Sequence, residues 1–360
     1  MGVFYYAVRR IIYAILLLFI ATNVIYFVVH SIPGNPYDRI IKEMAELNPK
    51  KLEKIPDSHW AQLSSLYGLD KPLYVQYYTW IRNVFSGKFG ETWSIAVGQD
   101  VFKVIMTRAP YTLILMAAAI LISLVIAIPA GIYSAVHQYS NGDFYITFLS
   151  YFGIAMPNFW FGILMITIFA NALGWLPTGG VVSQEFSDKG DILTVIGRAL
   201  SLGYLNEQIS GYEWKILVDG IKHMIMPVVV LSLLLTARWS RFMRSSMLEV
   251  LKQDYVRTAR AKGAPGWVVL IRHCLRNSLI PLITVVALDI PLLFAGSFII
   301  ENVFTWPGIG RLYVESLKSA DWPLLHGLLI VNAALIIFAN LIADFIYPVI
   351  DPRIKYLRAN

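Results

Sequence analysis

The most basic stretch of the chain runs from Arg238 to Pro281 and lies between two long apolar runs. It contains nine cationic residues and only two acidic ones, Glu249 and Asp254. The cationic residues are Arg238, Arg241, Arg244, Lys252, Arg257, Arg260, Lys262, Arg272 and Arg276. Such a concentration of charge suits an anionic surface, which is either the headgroups of a membrane or the groove of another protein.

Residue patterns of the common catalytic and metal sites are absent from the sequence. Gly87-Lys88 is followed by Phe89, so no phosphate-binding loop is formed, and neither a His-Glu-x-x-His nor a Gly-x-Ser-x-Gly pattern occurs. The six histidines lack the spacing of metal ligands; they are His30, His59, His137, His223, His273 and His326. We therefore expect no catalytic residue, no metal and no cofactor in this chain, and we do not expect it to be an enzyme.

The elements that must position the basic stretch are apolar helices. Of the 360 residues, 57% are hydrophobic and only 15% are charged, and several apolar runs are near the length that spans a bilayer. The sequence predicts an all-α integral membrane protein with six spans. These are about 11–29, 111–136, 144–173, 224–238, 279–303 and 324–350, and the pattern of the fourth allows a helix through Glu249.

The basic residues also predict the orientation of the spans. With the N-terminus in the cytoplasm, the inner segments carry 14 Lys and Arg against four acids, whereas the outer segments carry 16 against 17. This contrast follows the positive-inside rule, and an even number of spans leaves both termini in the cytoplasm. The net charge of +7 is then mostly explained by the basic residues that orient the spans, so we expect membrane lipid and no nucleic acid as a partner.

Two carboxylates fall inside predicted spans, where an unpaired charge is costly. Asp344 is near the cytoplasmic end, where we expect it to pair with an arginine. Asp289 is deeper, and it is either a hydrogen-bonded structural group or part of a substrate path. We place Glu301 and Asn302, near the outer end of the fifth span, with Asp289 as candidate path residues.

Two long loops are predicted outside the membrane. Residues 32–109 include an aromatic stretch from Tyr74 to Phe85, which is expected to lie at the membrane interface or on the bundle. Residues 174–222 carry an acidic middle with Glu185, Asp188 and Asp191. Long loops often carry function, so these acids are candidate contacts for a partner outside the membrane.

A short helix is predicted inside the basic stretch. On a helix, Tyr255, Val256, Ala259 and Gly263 share one face of mostly small residues, with a basic rim around it. Gly263 followed by Pro265 ends this helix and allows a second one to begin. We interpret the face as a docking surface; the alternative is a loop that rests on lipid headgroups.

This region resembles the cytoplasmic loop of ABC importer permeases, in the form of the dipeptide/oligopeptide B-type subunit. The stretches that carry the resemblance are Tyr255–Gly263, Arg272–Asn277 with Pro281, Ser31–Gly34, Tyr67–Pro72 with Gln76, Tyr77 and Trp80, Pro157–Trp160, Leu173–Pro177, Glu301–Arg311 and Ile350–Arg353. The loop of the wider family begins Glu-Ala-Ala, where this chain has Arg257, Thr258 and Ala259. A salt bridge made by that glutamate therefore does not transfer to Arg257. The segment from Gly179 to Asp219 is longer than in the commonest members of that family.

The resemblance implies a type I (MetI-like) permease bundle. It also implies a homologous second permease subunit, two ATPase subunits that bind ATP and Mg²⁺, and an extracytoplasmic substrate-binding protein. The coupling helix toward an ATPase would comprise Tyr255, Val256, Arg257, Thr258, Ala259, Arg260, Lys262 and Gly263. Substrates in this family include peptides, oligosaccharides, nickel chelates and glutathione.

The predicted organisation has four parts: an anchor helix (1–30), an outer loop region (31–109), a five-helix core (110–350) and a cytoplasmic tail (351–360). The core includes the outer loop 174–222 and the basic loop 238–278. Two other classes of protein remain as alternatives. A stand-alone secondary transporter needs an ion path, for which only Asp289 and Asp344 are available, and an intramembrane enzyme needs a catalytic pair that the sequence lacks.

Overall fold

A computed structural model describes residues 3–30, 71–188, 190–200, 211–319 and 321–350. The remaining residues include Ser31–Gly34, residues 67–70 of the Tyr67–Pro72 stretch and the predicted tail 351–360, which lie outside the described part of the chain. Within the described part, the chain is helical and forms no extended strand.

The described part of the chain contains a series of helices. In chain order they are α1 (Val3–His30), α2 (Leu73–Phe85), α3 (Val101–Val136), α4 (Asn141–Ala155), α5 (Asn158–Met165), α6 (Ile192–Leu200), α7 (Gly211–Leu251), α8 (Asp254–Ala261), α9 (Gly266–Val268), α10 (Arg276–Val303), α11 (Ile309–Lys318) and α12 (Trp322–Ile350). Two π-helical segments, Ile166–Ala172 and Val269–Leu275, continue α5 and α9.

Five helical segments of the described chain are long and apolar enough to cross a membrane. They are Ala7–Val28, Val101–Val136, Gly211–Leu251, Gly266–Pro291 and Trp322–Phe345. A sixth crossing is obtained if α4 and the segment Asn158–Ala172 count as one span. The predicted all-α membrane fold is thus confirmed. Asp344 in α12 pairs with Arg10 in α1 at 2.7 Å, as the sequence indicated.

The third predicted span, 144–173, is not one continuous helix. Its two halves meet at an angle of 103°. Pro157 is the physical reason, because a proline disfavours the helical conformation of the residue before it. Met156 is accordingly extended, with ψ 122°, and α5 starts anew at Asn158. Helices α3, α7 and α10 also contain prolines and continue through them.

The fourth predicted span, 224–238, is much shorter than the helix that forms. Helix α7 contains 41 residues and continues to Leu251, so Arg238, Arg241 and Arg244 belong to this helix and not to a loop. The non-helical part of the basic stretch is confined to short turns around α8.

The described residues form two compact units. In the first, which includes Ala109–Arg311, α7 packs against α4, α5, α6 and α10. Its apolar core contains two fully buried tryptophans, Trp239 and Trp306.

The second unit comprises Tyr13–Arg108 and Leu312–Ala334. Tyr77 and Trp80 of α2 pack against Tyr26 of α1, and Trp80 also approaches His326 of α12. The aromatic stretch therefore lies on neighbouring helices, which was one of the two predicted positions.

A buried carboxylate organises the start of α12 in the second unit. One oxygen of Asp321 accepts hydrogen bonds from the backbone N–H groups of Trp93, Ser94 and Ile95, at 2.9, 2.9 and 3.1 Å. Its other oxygen accepts from Leu324 N–H at 3.3 Å. Because a buried carboxylate needs such partners, Asp321 fixes the loop before α3 to the first turn of α12.

Candidate functional site

One fully buried side chain of helix α8 packs into the rest of the first unit. Val256 is completely buried and belongs to a cluster with Ala135, Met247, Val269 and Cys274. Ala259, one turn further along α8, is half-buried against the same cluster. Burying a valine in this way stabilises a structure by about 1.5–3 kcal/mol, so Val256 holds the helix in place.

The exposed side of α8 is polar and basic. The predicted docking residues that are exposed, in α8 and in the turn after it, are Tyr255, Arg257, Thr258, Arg260, Lys262 and Gly263. This differs from the predicted docking face, because Val256 and Ala259 turn inward and are occupied by the chain itself. A partner that binds α8 would meet the side that carries Thr258 and the cations. The face with Val256 and Ala259 is buried against the permease itself, whereas the charged side chains of α8 are exposed to solvent.

The turn after α8 depends on the backbone of Gly263. Its φ is +76°, in the left-handed region, and its N–H donates to Arg260 O at 3.0 Å. A Cβ at this position would meet no atom within 4 Å. The glycine therefore suits the left-handed conformation of this helix C-terminus, and no contact within the described chain excludes a side chain there. Pro265 then caps α9, which leads back into the bundle.

Three of the nine cations in the basic stretch are engaged by other helices. The Arg244 side chain contacts Asp143 of α4 with two nitrogens, Nε–Oδ1 at 2.9 Å and Nη2–Oδ2 at 2.8 Å. Arg241 lies over the ring of Tyr151 at 4.6 Å. Arg238 pairs with Asp289. Counting charges along the chain could not distinguish these residues from the exposed cations of α8.

Asp289 is a buried member of an ion pair between α7 and α10. Its Oδ1 lies 2.9 Å from Arg238 Nη1, and its Oδ2 accepts a hydrogen bond from Trp239 Nε1 at 2.8 Å. The Arg238 contact balances the charge that the sequence places inside the fifth span, but it lacks hydrogen-bond geometry, and Oδ1 has no hydrogen-bond partner among the described residues. Its place on a substrate path remains a prediction.

Glu301 and Asn302 hold the turn that follows α10. The buried Glu301 carboxylate accepts from Thr112 Oγ1 at 2.7 Å and from the backbone N–H groups of Gly310 and Arg311 at 2.7 and 3.2 Å. Asn302 donates to Phe298 O at 2.8 Å and to Gly310 O at 3.3 Å. Both side chains thus have structural partners, and their predicted role on a path stays a prediction.

The two glycines in this turn leave room for that network. A Cβ on Gly308 would collide with the Glu301 carboxylate and with Thr112 Oγ1, and one on Gly310 would collide with Phe298. The Glu301–Arg311 stretch, which contributed to the resemblance, is therefore a tight structural turn around a buried acid.

The three acids predicted to meet a binding protein are in different environments. Glu185 and Asp188 are exposed, whereas Asp191 is half-buried. The Asp191 carboxylate accepts hydrogen bonds from the hydroxyl of Tyr111 and from Thr194 N and Oγ1, at 2.9 and 2.8 Å for the threonine. Burial raises the pKa of Asp191, but these hydrogen bonds outweigh it and hold the pKa below its usual range. Asp191 thus caps α6, and only Glu185 and Asp188 remain fully available to a partner.

Asp143 has a structural role that was not predicted from the sequence. Besides Arg244, its carboxylate accepts from Ser134 Oγ, Tyr139 N and Thr147 Oγ1. A signal was present, since Ser140 and Asp143 have the spacing of a capping box, and Asp143 N donates to Ser140 Oγ at 3.2 Å. Nothing local indicates Arg244, which lies about a hundred positions along the chain.

A second acid without a predicted role joins α7 to the segment between α5 and α6. Asp219 accepts from Ser183 N at 2.7 Å and from Ser183 Oγ at 2.8 Å. The ring Nδ1 of His223 lies 2.9 Å from Asp219 O. Since the acid stands between the serine and the histidine, this arrangement cannot activate the serine as a nucleophile. Among the described residues, no group of three or more His, Cys, Asp or Glu could hold a metal ion.

Comparison with known proteins gives two family matches that together cover most of the chain. Residues 3–116 match the family described as "Binding-prot-dependent transport system membrane comp, N-term". Residues 127–356 match "Binding-protein-dependent transport system inner membrane component". The chain belongs to this permease family.

Relatives with curated names match nearly the full length of the permease. It is 38% identical to "Oligopeptide transport system permease protein AppB" of Bacillus subtilis, over 98% of this chain and 99% of the relative. It is 35% identical to "Dipeptide transport system permease protein DppB" of Alkalihalophilus pseudofirmus, with the same coverage. Identity to "Di/tripeptide transport system permease protein DppB" of Pseudomonas aeruginosa is also 35%, over 94% of each chain. The resemblance to the dipeptide/oligopeptide branch is therefore confirmed.

Family membership gives the site its context. The permease is a multi-pass membrane protein of a binding-protein-dependent transport system. Its described surface offers an anchored basic helix at one end of the bundle and the exposed acids Glu185 and Asp188 in the segment between α5 and α6.

Proposed function

We propose that this chain is a transmembrane subunit of an ATP-driven importer that moves di- and oligopeptides across the cytoplasmic membrane. Both termini lie in the cytoplasm. A homologous second permease completes the bundle, two ATPase subunits hold ATP and Mg²⁺, and an extracytoplasmic binding protein delivers the peptide. The names of the relatives support the peptide substrate, and the distribution of basic residues supports the orientation.

In this proposal residues 252–263 couple the ATPases to the bundle. The observation that carries it is the two-sided character of α8. Val256 buries one side in the permease, while Thr258, Arg260 and Lys262 are exposed on the rest. A helix anchored in this way transmits displacement as a rigid body, because the packed cluster beneath it resists deformation. The energy comes from nucleotide bound to the partner subunits, and this chain supplies no phosphate-binding loop.

Single-cysteine cross-linking in the assembled transporter tests this arrangement. The only native cysteine, Cys274, is completely buried, so it leaves a low background. We expect Thr258→Cys and Lys262→Cys to cross-link to an ATPase subunit. Glu185→Cys and Asp188→Cys should cross-link to the binding protein and not to an ATPase.

The same variants test orientation and serve as controls for one another. In intact cells, a membrane-impermeant thiol reagent added outside should label Glu185→Cys and leave Lys262→Cys unlabelled. Labelling of Lys262→Cys from outside would reverse the proposed orientation. Adducts between Thr258→Cys and the binding protein, with none to the ATPases, would contradict the coupling role.

A further inference from the structure

Arg238 is an exposed arginine in an otherwise covered part of α7. It is the one exposed residue between Met226 and Ser240. At 1.5 Å per residue it lies about 20 Å from the end of α7 at Leu251. Asp289 is likewise about 20 Å from the start of α10 at Arg276. Arg238 is the last residue of the predicted fourth span, and Asp289 lies inside the predicted fifth span. An exposed arginine beside a buried carboxylate at this level is costly against lipid tails and points to a cavity or path.

The two members of the pair differ sharply in exposure. The Arg238 side chain is 45% exposed, whereas that of Asp289 is only 3% exposed. One oxygen of Asp289 faces Arg238 Nη1, and the other accepts from Trp239 Nε1. The acid is thus fixed from two sides, while the guanidinium keeps an exposed edge. Within the described part of the chain, Asp289 is the partner found for Arg238.

The pair of Arg244 with Asp143 provides an internal comparison. Arg244 uses two nitrogens on two oxygens, and its side chain is 28% exposed. We call that pair closed, because both carboxylate oxygens of Asp143 are bound by the guanidinium of Arg244. This is expected of an ion pair that only holds helices together. The shortest contact between Arg238 and Asp289 is from Nη1 to Oδ1 and lacks hydrogen-bond geometry, so the N–H donors of Arg238 remain for another acceptor. A planar carboxylate fits such an edge with two parallel hydrogen bonds.

We propose that Arg238 binds the free C-terminal carboxylate of the peptide as it crosses the membrane. Asp289 is its positioning residue: it orients the guanidinium and balances its charge when no peptide is present. Because the acid stays paired, the bound carboxylate meets a nearly neutral site and can leave again. This inference rests on the proposed transport of peptides, since every unmodified peptide carries this carboxylate.

The test compares two probes in the complete transporter reconstituted into proteoliposomes. The probes are trialanine and trialanine amide, supplied at concentrations that load the binding protein to the same extent. The wild type should import the free acid at least about tenfold faster than the amide, which corresponds to the loss of one charge-assisted hydrogen bond. Arg238→Gln should bring this ratio close to one. Arg238→Lys, which keeps the charge but not the planar edge, should give an intermediate ratio.

A double variant separates substrate binding from simple pairing. In Arg238→Gln with Asp289→Asn no buried charge is left unpaired, so a purely structural role predicts that uptake and the ratio recover. Our proposal predicts that the ratio stays near one. Recovery of the ratio, or a wild-type ratio near one, would overturn the inference. If Arg238→Gln does not assemble, the lysine and double variants still decide the question.

Failure of the proposed function gives a different result. If the wild-type complex imports neither probe in an ATP-dependent manner, peptide transport is wrong and this inference falls with it. Import of both probes at equal rates leaves peptide transport standing and removes only the role of Arg238.

Discussion

Arg244 on α7 and Asp143 on α4 form an ion pair with two contacts, at 2.9 and 2.8 Å, and neither side chain is more than a third exposed. The pair joins helices that are far apart in sequence. Removal of one member leaves the other as a buried charge without its main partner, which is more damaging than removal of both.

Arg244→Met should therefore destabilise the protein by about 3–5 kcal/mol, whereas the double variant with Asp143→Asn should lose less than this. Thermal unfolding in detergent measures the difference. Arg241→Met is the matched control, because it removes only a stacking contact with Tyr151, worth about 0.5–1 kcal/mol at an exposed site. Equal losses for Arg241→Met and Arg244→Met would contradict the structural importance of the pair.

Val256 should determine whether α8 stays attached to the bundle. Val256→Asn places an unsatisfied amide among apolar side chains, at a cost of about 1–3 kcal/mol. Amide hydrogen exchange across residues 254–263 should accelerate, and ATP hydrolysis should become uncoupled from uptake. Thr258→Asn, on the exposed side of α8, is the control and should leave the amide hydrogen exchange of these residues unchanged. Unchanged exchange in Val256→Asn would show that the anchor lies elsewhere.

The conformation of Gly263 predicts a contrast with Gly266 three positions later. A Cβ added to either glycine would meet no atom within 4 Å, but only Gly263 has a positive φ. Gly263→Ala should cost about 1–2 kcal/mol because the left-handed conformation strains an L-residue. Gly266→Ala should be neutral or stabilise by up to about 1 kcal/mol. Local hydrogen exchange would measure both, and similar values for the two variants would disprove the conformational argument.

The turn after α10 should be sensitive to a single methyl group. Gly308→Ala would push against the Glu301 carboxylate and Thr112, so we expect a loss of about 1–3 kcal/mol from overpacking. Glu301→Gln should also destabilise, because its amide N–H groups would face the N–H donors of Gly310 and Arg311. Gly197→Ala, where no atom lies within 4 Å, is the control for both. A stable Gly308→Ala variant would argue against this network.

Asp191 predicts a dependence of stability on acid pH. Its pKa is lowered in the folded protein, so its contribution is present above the unfolded value of about 3.9 and is lost as pH falls through the folded value. Asp191→Asn should reduce stability at neutral pH and flatten the decline below about pH 4. Thermal unfolding between about pH 2.5 and 7 tests this. The exposed Asp188→Asn is the control, and an identical acid profile for wild type and Asp191→Asn would refute the assignment.

Local sequence signals were sufficient for four of the six predicted spans and for one turn. The length of an apolar run decides whether it can cross a bilayer, and this property needs no knowledge of distant residues. The first, second, fifth and sixth predicted spans consequently lie within α1, α3, α10 and α12. The stop at Gly263 and Pro265 was also readable, because only glycine adopts the left-handed conformation without strain.

Tertiary structure decided which side chains meet. Sequence periodicity grouped Val256 and Ala259 on one face, but only packing shows that this face is covered by Met247, Val269 and Cys274. The sequence could not distinguish the pair of Arg244, which uses both oxygens of its partner, from the pair of Arg238, whose guanidinium is more exposed. Both residues are arginines in the same helix, and the sequence does not show the contacts of either one. Helix formation depends on neighbours in sequence, whereas the partner of a charge depends on neighbours in space, and these are set only when the helices assemble.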